Sequence, residues 1–138
     1  MTENKTNYRA LALEAIGAMK KSYSPYSNFT VGAALLTKEG KIYTGANIEN
    51  ASYTPTVCAE RTAIFTAVHN GEREFEAIAI VGGHKGDIKG VTAPCGVCRQ
   101  VMGEFCSPDF YVIWGNEENM TKKTLKEILP FGFDKNNL

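Results

Sequence analysis

The stretch FEAIAIVGG, residues 75–83, constrains the fold of this chain more than any other. It is a nearly continuous apolar run of strand length, with none of the polar alternation that marks a strand facing water on one side. Such a strand belongs at the centre of a sheet.

The elements around it fit that placement. Residues 7–22 carry Leu11, Ala15, Ile16 and Met19 on one helical face, and Pro25 stops the pattern in the polar loop SYSPYSN. Residues 29–37 and 41–45 flank KEG and read as two strands of a hairpin. A second helix is expected from about Cys58 to His69, with Ala63, Ile64, Ala67 and Val68 inward. Pro94 suits the first turn of a third, because its missing N–H costs nothing there, and Val101, Met102 and Phe105 supply the apolar stripe. DFYVIWG, residues 109–115, reads as a strand. Thr124 with Glu127 forms a capping box for a short last helix that Pro130 ends. Helices alternating with strands predict an α/β fold, a three-layer α/β/α sandwich with a central mixed sheet of about five strands. At 138 residues, without repeats or a linker, a single domain spanning residues 1–138 is expected.

Charge narrows the function classes. Fifteen basic and fifteen acidic residues balance, and neither sign forms a run that would draw in nucleic acid or an anionic bilayer. A small, weakly charged ligand fits better. The N-terminus lacks a signal-peptide layout, and no stretch approaches the ~18 apolar residues of a membrane span. A cytoplasmic location follows as the expectation. In a reducing compartment, four cysteines, Cys58, Cys95, Cys98 and Cys106, point to metal binding or redox chemistry more than to disulfides.

Cys95 and Cys98 stand three apart on the opening turn of one helix, and Cys58 opens another, so three thiols can converge where two helix N-termini meet. The helix dipole and free N–H groups there favour the thiolate that metals require. Three protein ligands with an open fourth position are the pattern of catalytic zinc. Cys106, eight residues past Cys98, lies about two turns down the helix, too far to join them. His69 and His84 read as surface residues. Glu60, two places after Cys58, points away from that sulfur in a regular helix; it can either line the pocket as a proton carrier or serve as a first-turn acid on the dipole. Arg61, three places on, shares the face of Cys58 and can offset thiolate charge, or else stand as a solvated cation. Asn47 and Glu49, at i and i+2 of an extended segment, face one side and could hold sugar hydroxyls. A structural zinc module or a redox dithiol protein would also use the C-x-x-C, but would leave the rest unexplained.

The pair of motifs VCAER and APCGVC resembles the zinc-dependent nucleoside deaminases. With a cysteine as first ligand, the likeness is to the small cytidine deaminases that act on free nucleosides. It continues through YSPYSNFTVGAALL, TGANIENASY, APCGVCRQV and EILPFGF, most of the chain. The resemblance implies one Zn²⁺ per chain on Cys58, Cys95 and Cys98, Glu60 as proton shuttle, and ribose held by Asn47 and Glu49. It also implies that Phe29 packs on the pyrimidine, that Ala59 offers backbone groups to the base, and that Tyr53 and Phe133 reach towards a neighbouring subunit's site in a homotetramer. The implied reaction is deamination of cytidine and 2′-deoxycytidine in pyrimidine salvage, with no nucleic-acid or membrane partner. A related aminohydrolase such as a blasticidin S deaminase is the nearest alternative, and an editing deaminase acting on RNA or DNA lacks its expected basic track. Departures from the family pattern are Ala46, where cysteine is frequent, and Ala93, where serine commonly precedes the proline.

Overall fold

The structure is a computed structural model that describes residues 2–88, 90–116 and 118–138, and side chains from residue 8 onward. Lys89 of the GGHKGDIKG segment, and the side chain of Asn7 at the expected start of the first helix, lie outside the described residues.

The apolar run forms β3 (Phe75–His84), the middle strand of a five-stranded sheet in the order β2-β1-β3-β4-β5. β1 (Phe29–Thr37) and β2 (Ile42–Ala46) make the hairpin, its turn closed by Gly40 N–H donating to the Thr37 carbonyl. Gly40 has φ of +95°, a conformation that favours glycine. β1 runs antiparallel to β3, and β4 (Tyr111–Gly115) runs parallel to it, which requires a crossover that α3 (Gly96–Phe105) supplies. β5 (Met120–Thr124) is an antiparallel edge strand absent from the sequence expectation, and it raises the four strands placed there to five.

Period-two alternation along β3 divides the core. Ile78 and Ile80 pack with α2 (Ala59–His69) and α3, joined by Phe75 from beyond a register shift at the start of the strand, whereas Ala77, Ala79 and Val81 pack with Leu11, Ala15 and Met19 of α1 (Thr2–Met19). Both faces are covered, as an all-apolar strand demands. Burying Ile78 and Ile80 fully is worth about 1.5–3 kcal/mol each. Two glycines set how closely helices approach. A Cβ on Gly32 would sit 2.0 Å from the Ala15 carbonyl oxygen, and one on Gly45 would sit 2.5 Å from Ala63 N and 2.6 Å from the Ala59 carbonyl oxygen. The first turn of α2 therefore rests directly on the backbone of β2.

Boundaries differ from expectation for local reasons. α1 begins earlier and stops at Met19, since the polar TENKT carries no apolar period to announce a helix. Pro94 lies before the N-cap of α3, not in its first turn, because Cys95 takes the cap position. The capping box at Thr124 and Glu127 forms in both directions and opens the one-turn α4 (Leu125–Ile128).

Candidate metal centre and nucleoside pocket

Two helix N-caps build the site. Cys58 caps α2 with extended backbone (φ −75°, ψ 156°), and Cys95 caps α3 in nearly the same conformation (φ −73°, ψ 168°) while its sulfur accepts from Cys98 N–H at 3.4 Å. Their shared geometry turns the thiols of two separate helices onto one point. Cys58 Sγ lies 3.8 Å from Cys95 Sγ, and Cys95 Sγ lies 3.4 Å from Cys98 Sγ. All three sulfurs fall within 4.8 Å of one another.

These spacings can be tested against a metal. Tetrahedral zinc with Zn–S bonds of about 2.3 Å places its sulfurs about 3.8 Å apart, and the Cys58–Cys95 and Cys95–Cys98 separations match that to within a few tenths of an ångström. Among the described residues no histidine or carboxylate joins the three sulfurs. Cys98 is buried and Cys95 exposed, which leaves the centre open on one side. Cys106 caps the far end of α3 and is not one of the three clustered sulfurs.

Charge follows from this packing. The Cys58 thiol is held well below the ordinary range, first by its hydrogen bond with Cys98 and then by the Arg61 guanidinium and Cys95. Cys98 moves the opposite way, because its proton bonds the Cys58 sulfur and burial disfavours a second anion. Arg61 Nη2 donates to Cys58 Sγ at 3.4 Å, while its Nε is buried without a hydrogen-bond partner among the described residues. Glu60 is 4% exposed, and burial pushes its carboxyl up to about 7, with the Cys58 thiolate adding to the rise. A carboxyl that changes protonation near neutrality beside a metal-binding cluster can carry protons.

Asn47 to Glu49 reach this centre through Ile48, which exchanges backbone hydrogen bonds with Val57 (3.0 and 2.9 Å), the residue before Cys58. The carboxamide of Asn47 is buried, accepting from Val31 N–H at 2.9 Å and donating to the Phe29 carbonyl at 2.7 Å. Glu49 accepts from the N–H groups of Tyr26 (3.0 Å) and Ser27 (3.2 Å) and from the Ser27 hydroxyl, which together hold its carboxyl below the usual range. Both side chains thus engage the segment 22–31. Sequence reasoning found the pair but missed its partners Ser22 and Ser27, whose signal was the serine-rich loop SYSPYSN.

Tyr26, Ser27, Glu49, Tyr53 and Thr56 line a cleft of about 320 Å³. Tyr53 is 71% exposed, at φ +62°, with its ring edge-on to Tyr26 at 6.2 Å. Phe29 is also exposed, at the start of β1. Ala59 is wholly buried. Phe133 is exposed while its carbonyl accepts from Gln100 Nε2 at 2.7 Å. His69 and His84 are exposed. A larger cavity, about 830 Å³ between the end of α3, α4 and the C-terminal segment, holds none of the three clustered cysteines.

A mixed sheet with helices on both faces, two of them delivering an open three-thiol centre beside a buried glutamate, defines a metal-dependent hydrolase of the nucleoside deaminase class. Residues 5–114 match the family described as cytidine and deoxycytidylate deaminase zinc-binding region. The chain belongs to that family. It is 51% identical over 124 residues to a cytidine deaminase of Halalkalibacterium halodurans, covering 89% of this chain and 91% of that one. A cytidine deaminase structure from Burkholderia pseudomallei is similar with a TM-score of 0.83 at 47% identity, over 90% of this chain and 97% of that one. A blasticidin-S deaminase of Bacillus cereus is 36% identical over 111 residues, covering 77% and 78%.

Proposed function

We propose that this protein is a zinc hydrolase that converts cytidine and 2′-deoxycytidine to uridine and 2′-deoxyuridine with release of ammonia. The observation that carries the reading is the open set of three thiols with the buried Glu60 beside it. A structural zinc module calls for a fourth protein ligand, and the described cluster holds three.

Cys58, Cys95 and Cys98 would hold the ion. Zinc, when bound, supplies a Lewis acid that brings the ionisation of water towards neutral pH. Glu60 takes the first proton that water gives up as its oxygen bonds C4 of the cytosine ring and places it on N3; it then takes the remaining proton of that oxygen as the carbonyl forms and passes it to the amine, which leaves as ammonia. Its burial suits that cycle, since a carboxyl titrating near neutrality both accepts and returns a proton. Three thiolates around a dication leave one negative charge, and Arg61 offsets it through its contact with Cys58. Phe29 packs on the pyrimidine, backbone groups of Ala59 meet its polar edge, and Asn47 with Glu49 holds the ribose. Tyr53 and Phe133 extend to a neighbouring subunit in a homotetramer. Pyrimidine salvage in the cytoplasm is the corresponding role.

Incubating the purified protein with cytidine, while measuring ammonia, uridine and zinc, tests the reading. The expected result is one ammonia per uridine at one zinc per chain, with blasticidin S turned over far more slowly. A zinc-loaded protein that releases no ammonia would overturn it.

A further inference from the structure

We propose that Ser22 is a positioning residue for sugar recognition, fixing the orientation of the Asn47 carboxamide so that it meets a sugar hydroxyl with an N–H donor while Glu49 meets it with an acceptor. The inference rests on the reading that Asn47 and Glu49 hold the ribose. What Ser22 adds is the direction in which that pair can bond.

The Ser22 hydroxyl donates to Asn47 Oδ1 at 2.5 Å, and Val31 N–H donates to the same oxygen at 2.9 Å. Both lone pairs of that oxygen are then filled. On the other side Asn47 Nδ2 spends one hydrogen on the Phe29 carbonyl at 2.7 Å, so a single N–H remains to offer. A flipped carboxamide would set its NH₂ against the Val31 N–H and its oxygen against the Phe29 carbonyl. Glu49 has the complementary character: its oxygens already accept from Tyr26 N–H, Ser27 N–H and the Ser27 hydroxyl, and a carboxylate has only acceptor capacity left. A hydroxyl, which both accepts and donates, satisfies the two together.

Ser22 is itself held in place. Its N–H donates to the Met19 carbonyl at 3.1 Å at the end of α1, and the next residue bonds the Asn47 segment twice, Tyr23 N–H to the Asn47 carbonyl at 3.0 Å and Glu49 N–H to the Tyr23 carbonyl at 2.8 Å. The Ser24 hydroxyl lies 3.1 Å from Ser22 Oγ and can donate into it while Ser22 donates to Asn47. A short serine relay thus leads from the loop to the carboxamide.

Steady-state kinetics of Ser22→Ala, Ser22→Thr and Asn47→Ala, with cytidine and with 2′,3′-dideoxycytidine, test this. Loss of one hydrogen bond of ordinary strength predicts a KM for cytidine raised about fivefold to tenfold in Ser22→Ala, with kcat within twofold. Ser22→Thr, which restores a hydroxyl, should return KM to within twofold. With 2′,3′-dideoxycytidine, which keeps the 5′-hydroxyl but lacks the 2′ and 3′ hydroxyls that the pair is taken to meet, Ser22→Ala should match the wild type. A purely structural role would penalise both substrates alike, and that result overturns the proposal. So does an unchanged KM in Ser22→Ala where Asn47→Ala raises it. If Asn47→Ala also leaves the KM for cytidine unchanged, the sugar-binding reading of Asn47 itself falls.

Discussion

The cysteines at the two ends of α3 sit in different company. At its N-terminus Cys95 and Cys98 join Cys58 of α2, whose sulfur is stabilised as an anion by the Cys98 thiol, the Arg61 guanidinium and Cys95. At its C-terminus Cys106 caps the last turn, packed against the core between Phe105 and Ser107, and burial alone pushes its thiol up to about 12. Residue type and secondary structure are shared. What differs is the presence of further thiols and of a cationic donor, and these decide which cysteines suit a metal.

Breaking the first end should have the largest effect. Cys98→Ala removes a buried sulfur from the cluster, and we expect zinc content near zero and deamination at background, measured by metal analysis and ammonia release. Glu60→Gln should keep one zinc per chain while turnover falls by about 10²–10⁴-fold, the usual contribution of a positioned acid and base. Retained zinc with unchanged turnover would remove Glu60 from the chemistry. Arg61→Gln leaves the three sulfurs in place but removes the cation beside Cys58. Zinc affinity should drop about 10–100-fold, read by competition with a chromogenic chelator.

The second end gives a smaller, pH-dependent effect. The folded chain holds the Cys106 proton more tightly than the unfolded chain, whose thiol titrates near its ordinary value of 9.0. That contribution to stability is fully present below pH 9 and is lost as pH rises towards 12. Denaturation at pH 8 and pH 10.5 should show the wild type losing more stability across this interval than Cys106→Ala.

The same contrast separates what the sequence made legible from what it did not. Local signals put each metal-centre residue on its helix, although the meeting of Cys58 with Cys95, thirty-seven residues on, belongs to the fold. Cysteines at helix starts, the i+3 spacing of Arg61 and the capping box at Thr124 all act within one turn, so sequence spacing translates directly into geometry. β5 escaped because MTKKT is an exposed edge strand whose lysines protect its free side and leave no apolar alternation to read. The Ser22–Asn47 contact joins residues twenty-five apart, and only the folded hairpin brings them together. Pro94 reads from sequence as a first-turn residue, whereas the cap made by the Cys95 sulfur places it just before the helix. Naming cytidine needed the family resemblance, since a three-thiol centre by itself does not specify a substrate.

Differential alkylation tests the division of thiols most directly. Protein with and without zinc is labelled by isotope-coded iodoacetamide, and the rate at each cysteine is read by peptide mass spectrometry. Zinc should sharply slow the labelling of Cys58 and Cys95 and leave Cys106 unchanged. Equal rates at Cys58 and Cys95 with and without zinc, or protection of Cys106 in their place, would contradict the account.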